Sequence, residues 1–318
     1  MNIKISKYLE FYVKILFSFF LIAAIFYKVD LGSLYDKLSL LPGYIFFILC
    51  LLVCLQFFVN VFIKNTMFSI FGFREKIFLL YKKIFKGAFY GMFMPSVVGG
   101  DAYYTYHFGK RFNCFSKILA GIFLVKLIGI SVFFLFSFIV VLFYKDTILA
   151  NFTINGAEVK NLFLVMIFVI FGLILFFTFF YKKFYSQYKR VTEKVNLIKN
   201  DIVNNRGKLL SITAFTMLFY IISIGGRVIL GEIIGIDLPF FQLAGIVMIV
   251  NFLILIPVSI NGVGVREGSY VTLMGFFGID SITALTMSFL DFSITLISVF
   301  IGGIFVMVDN LRKNNYKK

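Results

Sequence analysis

Apolar residues in this chain fall into long unbroken runs, not into the strict alternation that marks a half-buried strand. The runs cover about Phe11 to Tyr27, Tyr44 to Ile63, Phe115 to Tyr144, Leu162 to Tyr181, Leu209 to Leu230 and Ser281 to Val308. Each comes within reach of the roughly 17–25 residues that a helix needs to cross a hydrocarbon core about 30 Å thick. Strands of a membrane barrel alternate in far shorter pieces, so that architecture is excluded. The pattern predicts an all-α, polytopic integral membrane bundle of about 6–8 transmembrane helices, residues 1–318 forming a single membrane domain.

Two further apolar stretches, about 84–101 and 240–279, are interrupted. The first contains "MPSVVGGD", residues 94–101, and the second "IPVSINGVGVREGS", residues 256–269. Each sets a proline, a serine and glycines ahead of a charged residue, a weak internal likeness. Backbone that leaves helical geometry inside a bilayer exposes groups costing several kcal/mol apiece, so such breaks occur where protein or a water-filled cavity covers them.

Composition agrees with the pattern: 61% of the 318 residues are hydrophobic and 14% charged, and mean hydropathy is +0.98. A net charge of +16 would suggest nucleic acid in a soluble protein. Here the positive-inside rule and anionic headgroups account for it, and no nucleic-acid motif is present. Lys64, Arg74, Lys76, Lys82, Lys83 and Lys86 crowd one connection, and eight Lys/Arg between Lys182 and Lys208 crowd another, a basic loop of about 182–208. Both are expected on the cytoplasmic side of the inner (plasma) membrane, as are both termini. The segments 28–43, 145–160 and 231–239 are nearly neutral and are expected outside. By this parity the first interrupted stretch enters and leaves from the cytoplasm. The second returns to the outside, as a re-entrant pair or as two short crossings.

The N-terminal basic residues and apolar core resemble a signal peptide, but the core is long and lacks a small-residue cleavage site, so a retained first helix is expected. Cys50, Cys54 and Cys114 show neither metal-ligand spacing nor a disulfide framework and read as packing residues. His107 is the only histidine, which rules out paired-histidine catalysis, and it is expected among basic residues at the inner interface. No P-loop, dinucleotide fingerprint or nucleophile elbow occurs, and no cofactor is implied.

The chemistry therefore rests on charges placed deep in apolar runs. Glycine turns at Gly99, Gly100, Gly262 and Gly264 offer backbone N–H groups to an anion such as a lipid phosphate, and Arg266 could add a bidentate contact. Arg266 could equally pair with an acid such as Glu267 and only fix its loop. Lys126, Arg227 and Asp291 are costly in hydrocarbon and call for partners, Lys126–Asp291 or Arg227–Asp291, with helix locking as the plain reading. Asp101 either caps the helix after it or takes part in proton coupling or headgroup binding. On this reading Arg266, Arg227 and Lys126 attract a lipid phosphate, while Asp101, Glu267 and Asp291 balance charge or carry protons.

With these residues in place, "MPSVVGGDAYYTYHFGKR", "LVKLIG" and "IPVSINGVGVREGSYVTLMGFFGI" resemble the transmembrane, flippase-like domain of lysylphosphatidylglycerol synthase. Pro95, Gly99, Gly100 and Asp101 match the first signature, and Pro257, Gly262, Gly264, Arg266 and Glu267 the second; Lys126 stands where arginine is commoner. The resemblance implies a bundle with re-entrant elements that moves a phospholipid or a polyprenyl- or sugar-linked lipid between leaflets, often beside envelope-synthesis enzymes. The synthase proper carries a further soluble aminoacyl-transferring domain, and the expectation here is a stand-alone member without it. Two other readings stay open: a membrane transferase acting on a lipid phosphate, and a non-catalytic partner of an envelope-synthesis complex.

Overall fold

The computed structural model describes residues 31–92, 99–151, 200–255, 259 and 261–315. The runs expected at Phe11 to Tyr27 and Leu162 to Tyr181, the basic loop of about 182–208 up to residue 199, Pro95 and Pro257 lie outside them. Among the described residues the elements are all helical: α1 Leu31–Ser39, α2 Tyr44–Ile70, α3 Ile77–Met92, α4 Gly99–Arg111, α5 Phe115–Asn151, α6 Arg206–Ile233, α7 Phe240–Leu255, α8 Val265–Gly275 and α9 Ser281–Asn315.

Four of them, α2, α5 (over Phe115–Ile139), α6 and α9 (over Ser281–Leu311), are long and apolar enough to cross a membrane. The helices end where the sequence supplies a left-handed glycine. Gly72 (φ 76°) after α2 and Gly235 (φ 84°) after α6 let the Phe73 amide donate to the Phe68 carbonyl and the Ile236 amide to the Gly231 carbonyl.

Buried side chains form two principal cores. One joins the first half of α2 (Ile45, Leu49, Val53), the second half of α6 (Ile224, Val228), α7, α8 and the start of α9. The other joins the second half of α2 (Val61, Met67, Phe68), the start of α3 (Leu80), α4 (Tyr104, Phe108), the start of α5 (Ile118) and Ile212 of α6. Thus α2 and α6 run antiparallel and in contact along the bundle, with one core toward each end.

The interrupted stretches are two helical hairpins. In the first, α3 begins with Leu80 in the second core and places Phe85 in the first, and α4 returns with Tyr104 and Phe108 to the second. In the second, α7 starts and α8 ends in the first core. At 16, 13, 16 and 11 residues the four legs rise about 24, 20, 24 and 16 Å, short of a full hydrocarbon core. The legs of the two hairpins run out toward opposite ends of the bundle, and Asn261 Nδ2 of the second meets the Met92 sulfur of the first.

Glycine makes the first hairpin tight. Gly87 and Gly91 sit one turn apart on α3, the small-xxx-small spacing that brings membrane helices close. A Cβ on Gly100 of α4 would stand 2.9 Å from the Gly87 carbonyl oxygen, and one on Gly91 would stand 3.0 Å from the Gly100 nitrogen. On the opposite side, Gly302 of α9 packs directly against the Phe85 backbone. Outward from the bundle, Phe46, Phe47, Phe58, Phe123, Phe138 and Phe300 are exposed, as a lipid-facing surface requires.

Candidate functional site

The second hairpin tip is shaped by three residues of unusual backbone: Asn261 (φ 56°), Gly262 (φ 77°) and Gly264 (φ 85°) all lie in the left-handed region. Gly264 then opens α8, and Glu267 reaches back so that the Gly264 amide donates to its Oε2 at 2.6 Å. The second Glu267 oxygen accepts from the Ser288 hydroxyl at 3.3 Å. Glu267 is therefore committed to holding the tip and α9 together, and it does not pair with Arg266.

Arg266, 4% exposed, turns instead toward α9. Its Nη2 donates to the Asn261 carbonyl at 3.1 Å, and its guanidinium lies 4.7 Å from the centre of the Phe292 ring. Its Nε stands 3.8 Å from Asp291 Oδ2, beyond hydrogen-bond length. The partner of Asp291 is Arg227 of α6, whose Nε donates to Oδ1 at 2.6 Å. Arg227 Nη1 further donates to the Ser223 carbonyl and hydroxyl at 2.9 and 2.6 Å, and the Tyr270 hydroxyl lies 3.4 Å from Asp291 Oδ2. Three helices, α6, α8 and α9, are thus joined through one buried carboxylate.

Of the two pairings open for Asp291, the structure selects Arg227. Lys126 lies elsewhere: its Nζ is 2.8 Å from Asp101 Oδ2, and Lys64 Nζ is 3.7 Å from Asp101 Oδ1 and 5.2 Å from the centre of the Tyr104 ring. Asp101 sits in the first turn of α4, where its charge also suits the helix dipole. Its carboxylate binds the lysines of α2 and α5, and among the described residues it makes no side-chain cap. Gly99 and Gly100 open the same helix, Gly100 at its closest approach to α3.

Residue patterns concealed three participants. Lys64 reads as the first residue of a basic connection, but α2 continues to Ile70, and the Ser69 hydroxyl donates to the Thr66 carbonyl in its last turn. The same connection hides Lys82 and Lys86, which both bind Asp309 of α9. Their spacing of four residues on one helix face was the available signal. Each of these three carboxylates is therefore shared by two cations.

Two donors at the second tip have no partner among the described residues: Arg266 Nη1 and Ser259 Oγ, both buried. A buried unpaired donor costs roughly 1–3 kcal/mol, and more when charged. Groups of three or more His, Cys, Asp or Glu that could hold a metal are absent among the described residues.

The fold and this charge arrangement define a multi-pass helical membrane protein with two broken hairpins meeting inside the bundle. The family described as lysylphosphatidylglycerol synthase TM region matches residues 11–303, and the chain belongs to that family. This places it among membrane proteins of lipid-related envelope biology. Comparison with curated proteins and with solved structures gives no match.

Proposed function

We propose that the protein moves a phosphate-bearing lipid between the leaflets of the plasma membrane. The observation that carries this reading is Arg266: a guanidinium at the contact point of two oppositely inserted hairpins, buried, with Nη1 unpartnered among the described residues. Broken helices that meet at mid-bilayer are the arrangement by which membrane transporters place substrate sites. An ionisable group there is functional by default, and a phosphate supplies the acceptor that Nη1 lacks.

In this reading the end of the bundle bearing Arg74, Lys76, Lys110, Arg111, Lys117 and Lys208 faces the cytoplasm. The first hairpin opens there and the second opens outside, each as a re-entrant element. Arg266 binds phosphate, Arg227 fixes Asp291 beneath it, and Lys126 and Lys64 with Asp101 form the charged wall on the side of the first hairpin.

The test is reconstitution of the full chain in liposomes with fluorescent phospholipid and polyprenyl-linked lipids, following movement by quenching of the outer leaflet. Arg266→Ala should reduce the rate by at least about tenfold, the loss of one charge-assisted phosphate contact. Movement at the unchanged rate would overturn the site, and formation of a chemically altered lipid would replace transport with transferase activity.

A further inference from the structure

We propose that one face of α2, carrying Gln56, Asn60 and Lys64, is the track along which the lipid headgroup crosses the bundle between the first hairpin and the Arg227–Asp291 pair. This inference rests on the transport reading above and adds to it the residues that a moving headgroup meets between the two charge clusters.

The spacing defines the face. Gln56 and Asn60 interrupt an otherwise apolar run from Ile45 to Ile63, and Lys64 follows at the same interval of four. The three side chains therefore stack one turn apart on one side of the helix. Gln56 stands near the midpoint of the 27-residue α2, and Lys64 about 12 Å further along its axis.

Two contacts fix the register of α2 against the antiparallel α6. A Cβ on Gly226 would stand 2.3 Å from Leu52 Cδ2, and the Phe62 and Phe215 rings stack with centres 5.5 Å apart. One turn on from Leu52, Gln56 is thus level with Ile222 and Ser223, and the Ser223 hydroxyl accepts from Arg227. At the other end of the face, Lys64 stands by Asp101. The polar face spans the interval between the two carboxylate clusters.

These side chains are poor choices for packing. Gln56 is 6% exposed, and its Nε2 has no partner among the described residues. A side-chain amide at this depth ordinarily joins two helices by a hydrogen bond; here the donor is unused, and that costs stability which an apolar residue would not. The Lys64 ammonium lies 3.7 Å from Asp101 Oδ1, beyond hydrogen-bond length. Tyr104, whose ring centre is 5.2 Å from that ammonium, is 3% exposed with its hydroxyl unpartnered among the described residues. Amide, ammonium and hydroxyl are all donors, and the acceptor they share is an anionic headgroup passing along the face.

The experiment separates this role from folding. Gln56→Leu should leave the thermal midpoint of the purified full chain unchanged or higher, because it removes an unpaired donor. It should nevertheless slow the movement of fluorescent phosphatidylglycerol in liposomes at least about tenfold. Gln56→Asn keeps the amide and should retain most of the rate, and Phe58→Leu, on the exposed side of α2, should change neither quantity. Accessibility then reads the track without reference to movement. In a chain carrying Cys50→Ala, Cys54→Ala and Cys114→Ala, Gln56→Cys in phosphatidylcholine nanodiscs should react with the membrane-impermeant anion 2-sulfonatoethyl methanethiosulfonate. Added phosphatidylglycerol should slow that reaction about tenfold, and Phe58→Cys should not react. A lower midpoint for Gln56→Leu, an unreactive Gln56→Cys, or labelling that phosphatidylglycerol leaves unchanged would each overturn the inference. Movement at the full rate in Gln56→Leu defeats the track alone; protected labelling in a protein that moves no lipid defeats transport and leaves this face as a headgroup-binding surface.

Discussion

Arg227 Nε lies 2.6 Å from Asp291 Oδ1, and both side chains are buried against each other between α6 and α9. Such a pair is held by geometry, because the cost of taking two charges out of water nearly cancels their attraction, and the arrangement becomes strongly unfavourable once one partner is lost. Asp291→Ala should therefore destabilise the protein by about 3–5 kcal/mol, read as a lower thermal midpoint in detergent. The double variant Arg227→Met, Asp291→Leu removes both charges and should recover most of that stability. It should not recover lipid movement, since Arg266 then lacks the carboxylate that balances it. Recovery of both would make the cluster a helix lock and nothing more.

The Asp101 cluster invites a comparison between its two lysines. Lys64 is the more enclosed, with 11% of its side chain exposed against 43% for Lys126. Lys64→Met should thus lower stability more than Lys126→Met, because the half-buried Asp101 carboxylate has less access to water on the side of its enclosed partner. The check is the thermal midpoint of each purified variant. Equal midpoints would show that enclosure does not decide which lysine holds Asp101.

Much of this architecture is legible in the sequence. Runs of about 20 apolar residues place α2, α5, α6 and α9, and proline–glycine breaks mark both hairpins. Arg266, Arg227, Asp101 and Asp291 stand out because charges in apolar runs are costly. What the sequence conceals is pairing across helices. Lys126 and Arg227 are alike in surroundings, and only the packing of α4 on α5 and of α6 on α9 sends one to Asp101 and the other to Asp291. Lys64 is hidden for a different reason: a polar stretch at a helix end looks the same whether the helix continues or stops. Glu267 beside Arg266 suggests an ion pair, yet neighbours in a helix point about 100° apart, and Glu267 turns to its own helix start.

The close approach of α3 and α4 leaves no room for a side chain at the glycines between them. Gly100→Ala puts a methyl group 2.9 Å from the Gly87 carbonyl oxygen, a backbone atom that cannot rotate away. Separating α3 from α4 by the required few tenths of an ångström should cost about 1–3 kcal/mol and shift Asp101 relative to Lys126. Gly129→Ala, where nothing lies within 4 Å of the added carbon, is the control and should be silent. Thermal midpoints of the two variants, with lipid movement in liposomes, separate packing from function; a silent Gly100→Ala would contradict the close approach.

At the opposite end, Asp280 precedes α9 and caps it: the Thr283 amide donates to Oδ1 at 2.9 Å, and the Thr283 hydroxyl bonds the other oxygen. Burial alone would raise the Asp280 carboxyl, but the bonds from Thr283 and the nearby Lys37 ammonium outweigh it and hold the group below the usual carboxylate range. A group depressed in the folded state contributes stability that is present above its unfolded value, about 3.9. That contribution is lost as pH falls through the lower folded value. Asp280→Ala should cost about 1 kcal/mol near neutrality, the loss of a helix cap, and the deficit should shrink as pH falls below about 4. The measurement is the thermal midpoint of both proteins between pH 6 and pH 3. Curves that converge at low pH support the cap, whereas a constant separation would mean that Asp280 acts through packing and not through its charge.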